Sequence, residues 1–253
     1  MQLSVYNALL QRKAMGRKAL GVLIDPDKTN PKALARLLEK GEGVGLDYWL
    51  LGGSLLLRQA TEECLHILKQ GSVPVLLFPG DARQVVPGAD ALLLLSLISG
   101  RNPELLIGQH VAAAMQIKQQ CSEVIPTGYI LVDGGRITSV MYMSGTLPIP
   151  RDKTDIALST ALAGELLGLK LLYLEAGSGA KYPVPASMIA AIHEYCQLPL
   201  IVGGGIRTPE DAEKACLAGA DMLVVGTALE EDSSLLPELV AAVQAISNKT
   251  QPL

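Results

Sequence analysis

The chain has 253 residues, a net charge of −4 and a pI near 5.4, with 49% hydrophobic and only 18% charged residues. This acidic balance, without a basic stripe, argues against nucleic acid as a partner, and no apolar run reaches the ~18 residues of a membrane span. The N-terminus lacks a signal-peptide pattern, so we expect a cytoplasmic protein. A mean hydropathy of +0.32 favours strands that are buried on both faces.

Short apolar runs alternate with helical stretches along the whole chain. A first helix is predicted at about Leu3–Met15 and a last one at about Leu235–Ser247. Asn30 and Thr208 are each followed by proline and are the expected N-caps of two intervening helices. The predicted strands are Ala19–Ile24, Tyr48–Leu51, Val73–Phe78, Ala91–Leu95, Glu123–Val132, Leu169–Leu174, Leu200–Val202 and Met222–Val225.

The stretch after the fifth predicted strand is less regular. Asp133–Arg136 predicts a turn, Ile137–Met141 a short extended segment and Met143–Pro150 an irregular loop. A helix at about Thr154–Leu167 then restores the alternation.

Eight strands alternating with helices predict a parallel sheet, and the count fits a closed (β/α)8 TIM barrel formed by one domain over residues 1–253. A doubly wound open sheet is the alternative. In such a barrel the active site forms at the carboxyl ends of the strands, and the loops after strands seven and eight commonly hold phosphate.

Glycine-rich turns follow the last three predicted strands, at Glu175–Gly179, Gly203–Gly205 and Gly226-Thr227. Backbone N–H groups at such turns form anion sites, because no Cβ blocks the approach. One such turn is equally well explained by a tight bend or a close helix–strand contact. Three of them on one rim favour a phosphorylated ligand.

Polar side chains follow the first two predicted strands. Asp25, before Pro26, is compatible with an Asx-turn, and also with Mg²⁺ binding, since this cation usually bridges a carboxylate and substrate phosphates. Ser54, after Gly52-Gly53, is compatible with a helix N-cap, a diphosphate contact or a second metal ligand. The two can face one bound group.

Glu175 follows an apolar strand and precedes glycines. It either orders its loop or accepts a proton from an attacking hydroxyl within hydrogen-bond reach.

Six segments carry a family resemblance: Leu23–Lys28, Gly52–Ser54, Ser99–Pro103, Tyr173–Ala180, Val202–Arg207 and Val225–Thr227. Together they resemble the geranylgeranylglyceryl phosphate synthase family, which includes the bacterial PcrB-like heptaprenylglyceryl phosphate synthases, over about residues 20–230. A glycine loop alone occurs in many phosphate-binding barrels, whereas DPDK and YLEAGSGA with GGS between them are specific. One branch of the family has a lysine at the position of Leu23, so the resemblance is to the other branch.

The resemblance implies a Mg²⁺-dependent prenyltransferase that joins a polyprenyl group from its diphosphate to sn-glycerol 1-phosphate through an ether bond, an early step of ether phospholipid biosynthesis. It implies Mg²⁺ held by Asp25 and Ser54, with Asp25 and Glu175 catalytic. It also implies a homo-oligomer, and it is compatible with transient membrane contact. The implied acceptor-binding residues are Tyr173, Leu174, Glu175, Ala176, Gly177, Ser178, Gly179, Gly203, Gly204, Gly205, Gly226 and Thr227.

Two alternatives remain at the level of the sequence. Another phosphate-binding barrel enzyme, such as a sugar-phosphate isomerase or cyclase, would explain the last two glycine loops and leave Asp25 with Gly52–Ser54 unexplained. A non-catalytic barrel that binds a phosphometabolite is the second alternative.

Overall fold

A computed structural model describes residues 4–249, in which eight parallel strands close into a barrel. Each strand pairs with the next, and the last pairs with the first through Ala19 and Met222. The fold is therefore the predicted (β/α)8 barrel, and the open-sheet alternative is wrong. The strands are β1 (Ala19–Ile24), β2 (Tyr48–Leu51), β3 (Val75–Leu77), β4 (Ala91–Leu97), β5 (Val124–Leu131), β6 (Leu171–Glu175), β7 (Leu200–Gly203) and β8 (Met222–Val225).

Helices connect the strands and surround the barrel, and a π-helical turn at Glu104–Gly108 leads into the fourth helix. Leu3, the predicted start of the first helix, lies outside the described residues. Within residues 4–249, no helix combines the length and the apolar character needed to cross a membrane. The helices are α1 (Val5–Ala14), α2 (Pro31–Val44), α3 (Thr61–Leu68), α4 (Gln109–Gln120), α5 (Ser139–Ser144), α6 (Thr154–Leu166), α7 (Ala186–Tyr195), α8 (Pro209–Leu217), α9 (Thr227–Glu231) and α10 (Leu236–Lys249).

The strands are buried on both faces, as the hydropathy indicated. Along β6, Leu171 and Tyr173 belong to the cluster inside the barrel, whereas Leu172 and Leu174 pack in the layer between barrel and helices. This follows from the alternation of side chains along a strand. The same alternation directs Glu175, the last residue of β6, into the barrel mouth.

Both predicted N-caps are confirmed. The Asn30 side chain accepts a hydrogen bond from Ala33 N at 3.0 Å at the start of α2. Thr208 and Asp211 form a reciprocal capping box at the start of α8. These caps fix where the loops after β1 and β7 end, and both loops reach the barrel mouth.

The extended segment predicted at Ile137–Met141 is wrong, because α5 begins at Ser139 and ends where Gly145 takes a φ of +58°. Val140 and Met141 pack against the cluster inside the barrel. An apolar run this short fits a strand and a helix equally well, and its packing against the barrel determines which of the two it forms. The irregular loop predicted from Met143 therefore begins only after α5, and within it Ile149 forms an isolated parallel bridge to Val132.

Candidate active site

A cavity of about 630 Å³ opens at the carboxyl ends of the strands, where the loops after β1, β2, β6, β7 and β8 meet α5. Four predicted site residues, Leu174, Ala176, Gly177 and Gly203, are buried behind its wall. The predicted site residues that line the cavity are Asp25, Ser54, Tyr173, Glu175, Ser178, Gly179, Gly204, Gly205, Gly226 and Thr227.

The three glycine loops converge on one side of this cavity. Gly204 has a φ of +80°, and a Cβ at this position would lie 2.6 Å from Gly177 N, so the loops after β6 and β7 pack backbone against backbone. The Ser178 and Thr227 hydroxyls are 2.9 Å apart, which ties the loop after β6 to the loop after β8. Backbone amides and hydroxyls gathered in this way form a site suited to an anion.

We expect Gly204→Ala to lower the free energy of unfolding by about 2–4 kcal/mol, because it adds a left-handed backbone penalty to a collision with the loop after β6. Gly168→Ala is the matched control, since Gly168 has a φ of +83° with open space around its Cβ position. That control should lose only about 1–2 kcal/mol. Urea unfolding of both variants measures the difference, and equal losses would contradict the close packing of the two loops.

Glu175 is 6% exposed, and its Oε1 accepts a hydrogen bond from Gly177 N at 2.6 Å. Burial raises its pKa to about 7, and the Gly177 N–H and the nearby Tyr173 and Tyr129 hydroxyls only partly offset this rise. A carboxyl group with a pKa near neutrality can exchange a proton with a substrate at physiological pH. The same side chain therefore combines a contact that orders its loop with a carboxyl group whose pKa lies near neutrality.

Three aromatic rings form the floor of the cavity. Phe78 stacks on Tyr173 at 5.0 Å between centroids, and Tyr129 lies 5.4 Å from Tyr173. The Tyr173 hydroxyl is buried without a hydrogen-bond partner among residues 4–249, and burial raises the pKa of both tyrosines well above 10. Both hydroxyls therefore stay protonated, and both act on the Glu175 carboxylate to lower its pKa, against the larger effect of burial.

Our sequence analysis missed Phe78 and Tyr129 as site residues. Tyr129 pairs in register with Tyr173 across β5 and β6, so it occupies the same layer of the barrel interior. Phe78 directly follows β3. The only available signal was their place near the ends of strands, which buried core residues share.

Asp25 forms the expected Asx-turn, because its Oδ1 accepts from Asp27 N at 3.0 Å. Its Oδ2 lies 3.5 Å from Lys28 Nζ. The helix-capping interpretation of Ser54 is wrong, since α3 begins only at Thr61 and Ala60 occupies its N-cap position. One side chain from each of two neighbouring strand ends thus offers oxygen to the cavity.

This donor set fits Mg²⁺ delivered with a diphosphate. Residues 4–249 contain no cluster of three or more His, Cys, Asp or Glu side chains able to hold a metal by themselves. Mg²⁺ usually keeps several waters and is bound through one or two carboxylates together with substrate phosphates. The carboxylate of Asp25 and the hydroxyl of Ser54 suit that mode of binding.

Two further side chains hold the loop that carries Ser54. The Asp27 carboxylate accepts hydrogen bonds from Leu57 N and Arg58 N at 2.6 and 3.0 Å. The buried Gln84 accepts from Gly53 N, and its amide donates to Gly53 O at 2.8 Å. Nothing in the sequence distinguishes Gln84 from any other glutamine, because its partners are backbone groups of a distant loop.

A second, largely apolar cavity of about 300 Å³ adjoins the first and shares Ser54, Phe78 and Tyr129 with it. It extends from the barrel mouth toward α4. Its aliphatic wall includes Leu92, Leu94, Leu97, Leu105, Ala113 and Ile117.

Comparison with known proteins identifies relatives that match nearly the whole chain. A geranylgeranylglyceryl phosphate synthase of Chitinophaga pinensis is 52% identical over 97% of this chain and 98% of its own length. One from Thermococcus gammatolerans is 40% identical over 89% and 90% of the two chains.

Among solved structures, the (S)-3-O-geranylgeranylglyceryl phosphate synthase of Thermoplasma acidophilum, in complex with its substrate sn-glycerol-1-phosphate, superposes with a TM-score of 0.90. It is 34% identical, and the match covers 96% of this chain and all of that one. The sequence model of the PcrB family matches residues 15–246, and this chain belongs to that family.

Proposed function

We propose that this protein transfers a polyprenyl group from its diphosphate to sn-glycerol 1-phosphate and forms an ether bond. One observation carries the proposal: a single cavity brings together the glycine loops, Glu175 and the Asp25–Ser54 pair. The similarity to the Thermoplasma enzyme, whose structure contains sn-glycerol-1-phosphate, supports the choice of acceptor.

In this proposal the acceptor phosphate lies against the loops after β6, β7 and β8. The cavity is lined there by Ser178, Gly204, Gly205 and Thr227. In the loop after β6, and in the loop after β7 as far as Gly205, the only acidic side chain is that of Glu175. The loops would hold the acceptor so that its free hydroxyl faces the donor. Holding the two reactants next to each other in this way lowers the barrier of the reaction. The protonated Tyr173 hydroxyl lies under the loop after β7, against Gly203.

Glu175 would accept the proton of the acceptor hydroxyl. As that oxygen forms a bond to the allylic carbon, the bond from this carbon to the diphosphate oxygen breaks, and the diphosphate leaves with the electron pair. Asp25 and Ser54 would hold Mg²⁺, which when bound neutralises charge on the diphosphate. Phe78, Tyr129 and Tyr173 would form a buried aromatic floor beneath the reacting atoms.

The assay for the proposal combines the purified protein with Mg²⁺, sn-glycerol 1-phosphate and labelled polyprenyl diphosphates of several lengths. We expect a lipid-soluble ether product, and much less product from sn-glycerol 3-phosphate, the mirror-image acceptor. Acceptor binding without ether product at any donor length would favour the non-catalytic alternative. Conversion of a sugar phosphate instead would favour the isomerase or cyclase alternative.

We further propose that the second cavity receives the prenyl tail, because it is apolar and opens beside Ser54. Ala113→Phe should then narrow it and lower kcat/KM about tenfold or more for the longest accepted donor, with little effect on the shortest. Ala112→Phe is the matched control, since this neighbour is exposed on the same helix. If Ala113→Phe slows all donors equally, the tail lies elsewhere.

A further inference from the structure

Large apolar side chains surround the outer mouth of the catalytic cavity and remain exposed. Leu57 is 84% exposed, Ile137 73% and Tyr142 81%, and Leu55 and Met143 beside them are also exposed. All five line the same cavity. We call these five residues the apolar rim.

The backbone on both sides of the mouth holds the rim in place. On one side, the Asp27 carboxylate fixes the N–H of Leu57 at 2.6 Å. On the other, Val140 packs inward against the barrel interior, which leaves Tyr142 on the outer side of α5. The exposed side chains of Leu57 and Tyr142 therefore belong to segments whose backbone is held by these contacts.

The charges around the rim favour an anionic surface. Arg58 follows Leu57 and Arg136 precedes Ile137 in the sequence, and neither exposed guanidinium belongs to an ion pair among the described residues. Two acidic side chains that also line the cavity are already engaged: Asp27 accepts backbone N–H groups, and Glu230 lies 3.3 Å from Lys28 Nζ.

We propose that the apolar rim docks on an anionic lipid surface, with the aliphatic and aromatic tips at the acyl boundary and Arg58 and Arg136 at the headgroups. Apolar tips beside unpaired cations are the pattern of interfacial membrane contact. The proposal rests on the proposed function for its reason: a donor with a long apolar tail can enter the second cavity, and a lipid product can leave, without crossing water. Its test needs neither substrate, so the two proposals fail independently.

The first experiment is vesicle flotation of the full chain with phosphatidylcholine vesicles that either contain or lack phosphatidylglycerol. We expect binding to the anionic vesicles that weakens with added salt. The variant Leu57→Ser/Ile137→Ser/Tyr142→Ser should lose more than roughly tenfold in partitioning. The control is Leu166→Ser/Leu167→Ser, two leucines that are 88% and 78% exposed at the end of α6 on the opposite face of the barrel, and it should bind like the original protein.

A second measurement does not depend on the stability of the triple variant. Trp49 is the only tryptophan of the sequence and is fully buried, so Tyr142→Trp adds one exposed fluorophore to a constant background. Anionic vesicles should shift its emission to the blue, and Leu166→Trp should show no shift.

Three outcomes would overturn the proposal. They are no flotation with either vesicle, equal loss in the Leu166→Ser/Leu167→Ser control, and a Tyr142→Trp spectrum that vesicles leave unchanged. Sedimentation velocity without lipid supplies a fourth: a larger species for the original protein than for the triple variant would show that the rim is covered by a second copy of the chain.

Discussion

Glu175→Gln should lower kcat by about 10²–10⁴-fold and at the same time stabilise the folded protein at alkaline pH. The amide cannot accept the proton of the acceptor hydroxyl, although its oxygen can still accept the hydrogen bond from Gly177 N. The amide is also never ionised, whereas the buried carboxylate must be ionised to act as a base. Activity and stability are therefore expected to change in opposite directions.

The pH dependence of this effect has a definite sign. Burial raises the pKa of Glu175 from 4.5 to about 7, so the folded protein binds the proton more tightly than the unfolded chain does. Ionisation of the carboxylate therefore lowers the free energy of unfolding as the pH rises above about 4.5. The full decrease, about 3 kcal/mol, is reached above pH 7. In the original enzyme kcat/KM, which reports the unliganded protein, should rise through about pH 7 as the base form accumulates.

Steady-state kinetics and urea unfolding at several pH values test both halves of this prediction. Glu165→Gln is the matched control, since Glu165 also accepts one backbone N–H, from Gln197 at 2.7 Å, but lies outside the cavity. It should leave kcat close to that of the original protein. A Glu175→Gln protein with full activity would show that Glu175 only orders its loop.

Asp25→Asn should lower kcat/KM roughly 10²–10³-fold at a fixed Mg²⁺ concentration, because a neutral amide is a much weaker ligand for a hard cation. The amide oxygen can preserve the Asx-turn to Asp27 N, so the loop after β1 should keep its conformation. Binding of sn-glycerol 1-phosphate, measured by calorimetry without donor, should be nearly unchanged, since the glycine loops lie after β6, β7 and β8.

Asp27→Asn controls for general damage to this region. Asp27 lines the same cavity, but both of its carboxylate oxygens are occupied by backbone N–H groups of the loop that carries Ser54. We expect this variant to lose stability while its half-maximal Mg²⁺ concentration stays close to that of the original protein. A Mg²⁺ requirement that shifts in Asp27→Asn and not in Asp25→Asn would reassign the metal to Asp27.

The sequence carried the parts of the fold that local chemistry determines. Strand ends that close in glycine, and caps such as Asn30 with Pro31, depend on neighbouring residues, so the barrel and the position of the three glycine loops could be predicted. The helical state of Ser139–Ser144 could not, because it depends on Val140 packing against a barrel that is distant in sequence.

The residues of the candidate site also fall into two groups, those with a recognisable sequence motif and those without one. Asp25, Ser54 and Glu175 stand at strand ends in conspicuous motifs, and the structure brings all three to one cavity. Tyr129 and Phe78 have no motif, since an aromatic residue near the end of a strand is usually part of the core. The raised pKa of Glu175 was also out of reach of the sequence, because it arises from burial by residues of several strands.

The position of Gln84 has a consequence for how the two cavities communicate. Its Oε1 accepts hydrogen bonds from both Gly53 N and Gly80 N, so one amide group connects the loop after β2 to the loop after β3. The first of these loops carries Ser54, and the second borders the apolar cavity through Pro79, Gly80 and Asp81. In the proposed binding mode, the donor's tail would therefore lie against a loop that Gln84 ties directly to the loop carrying Ser54.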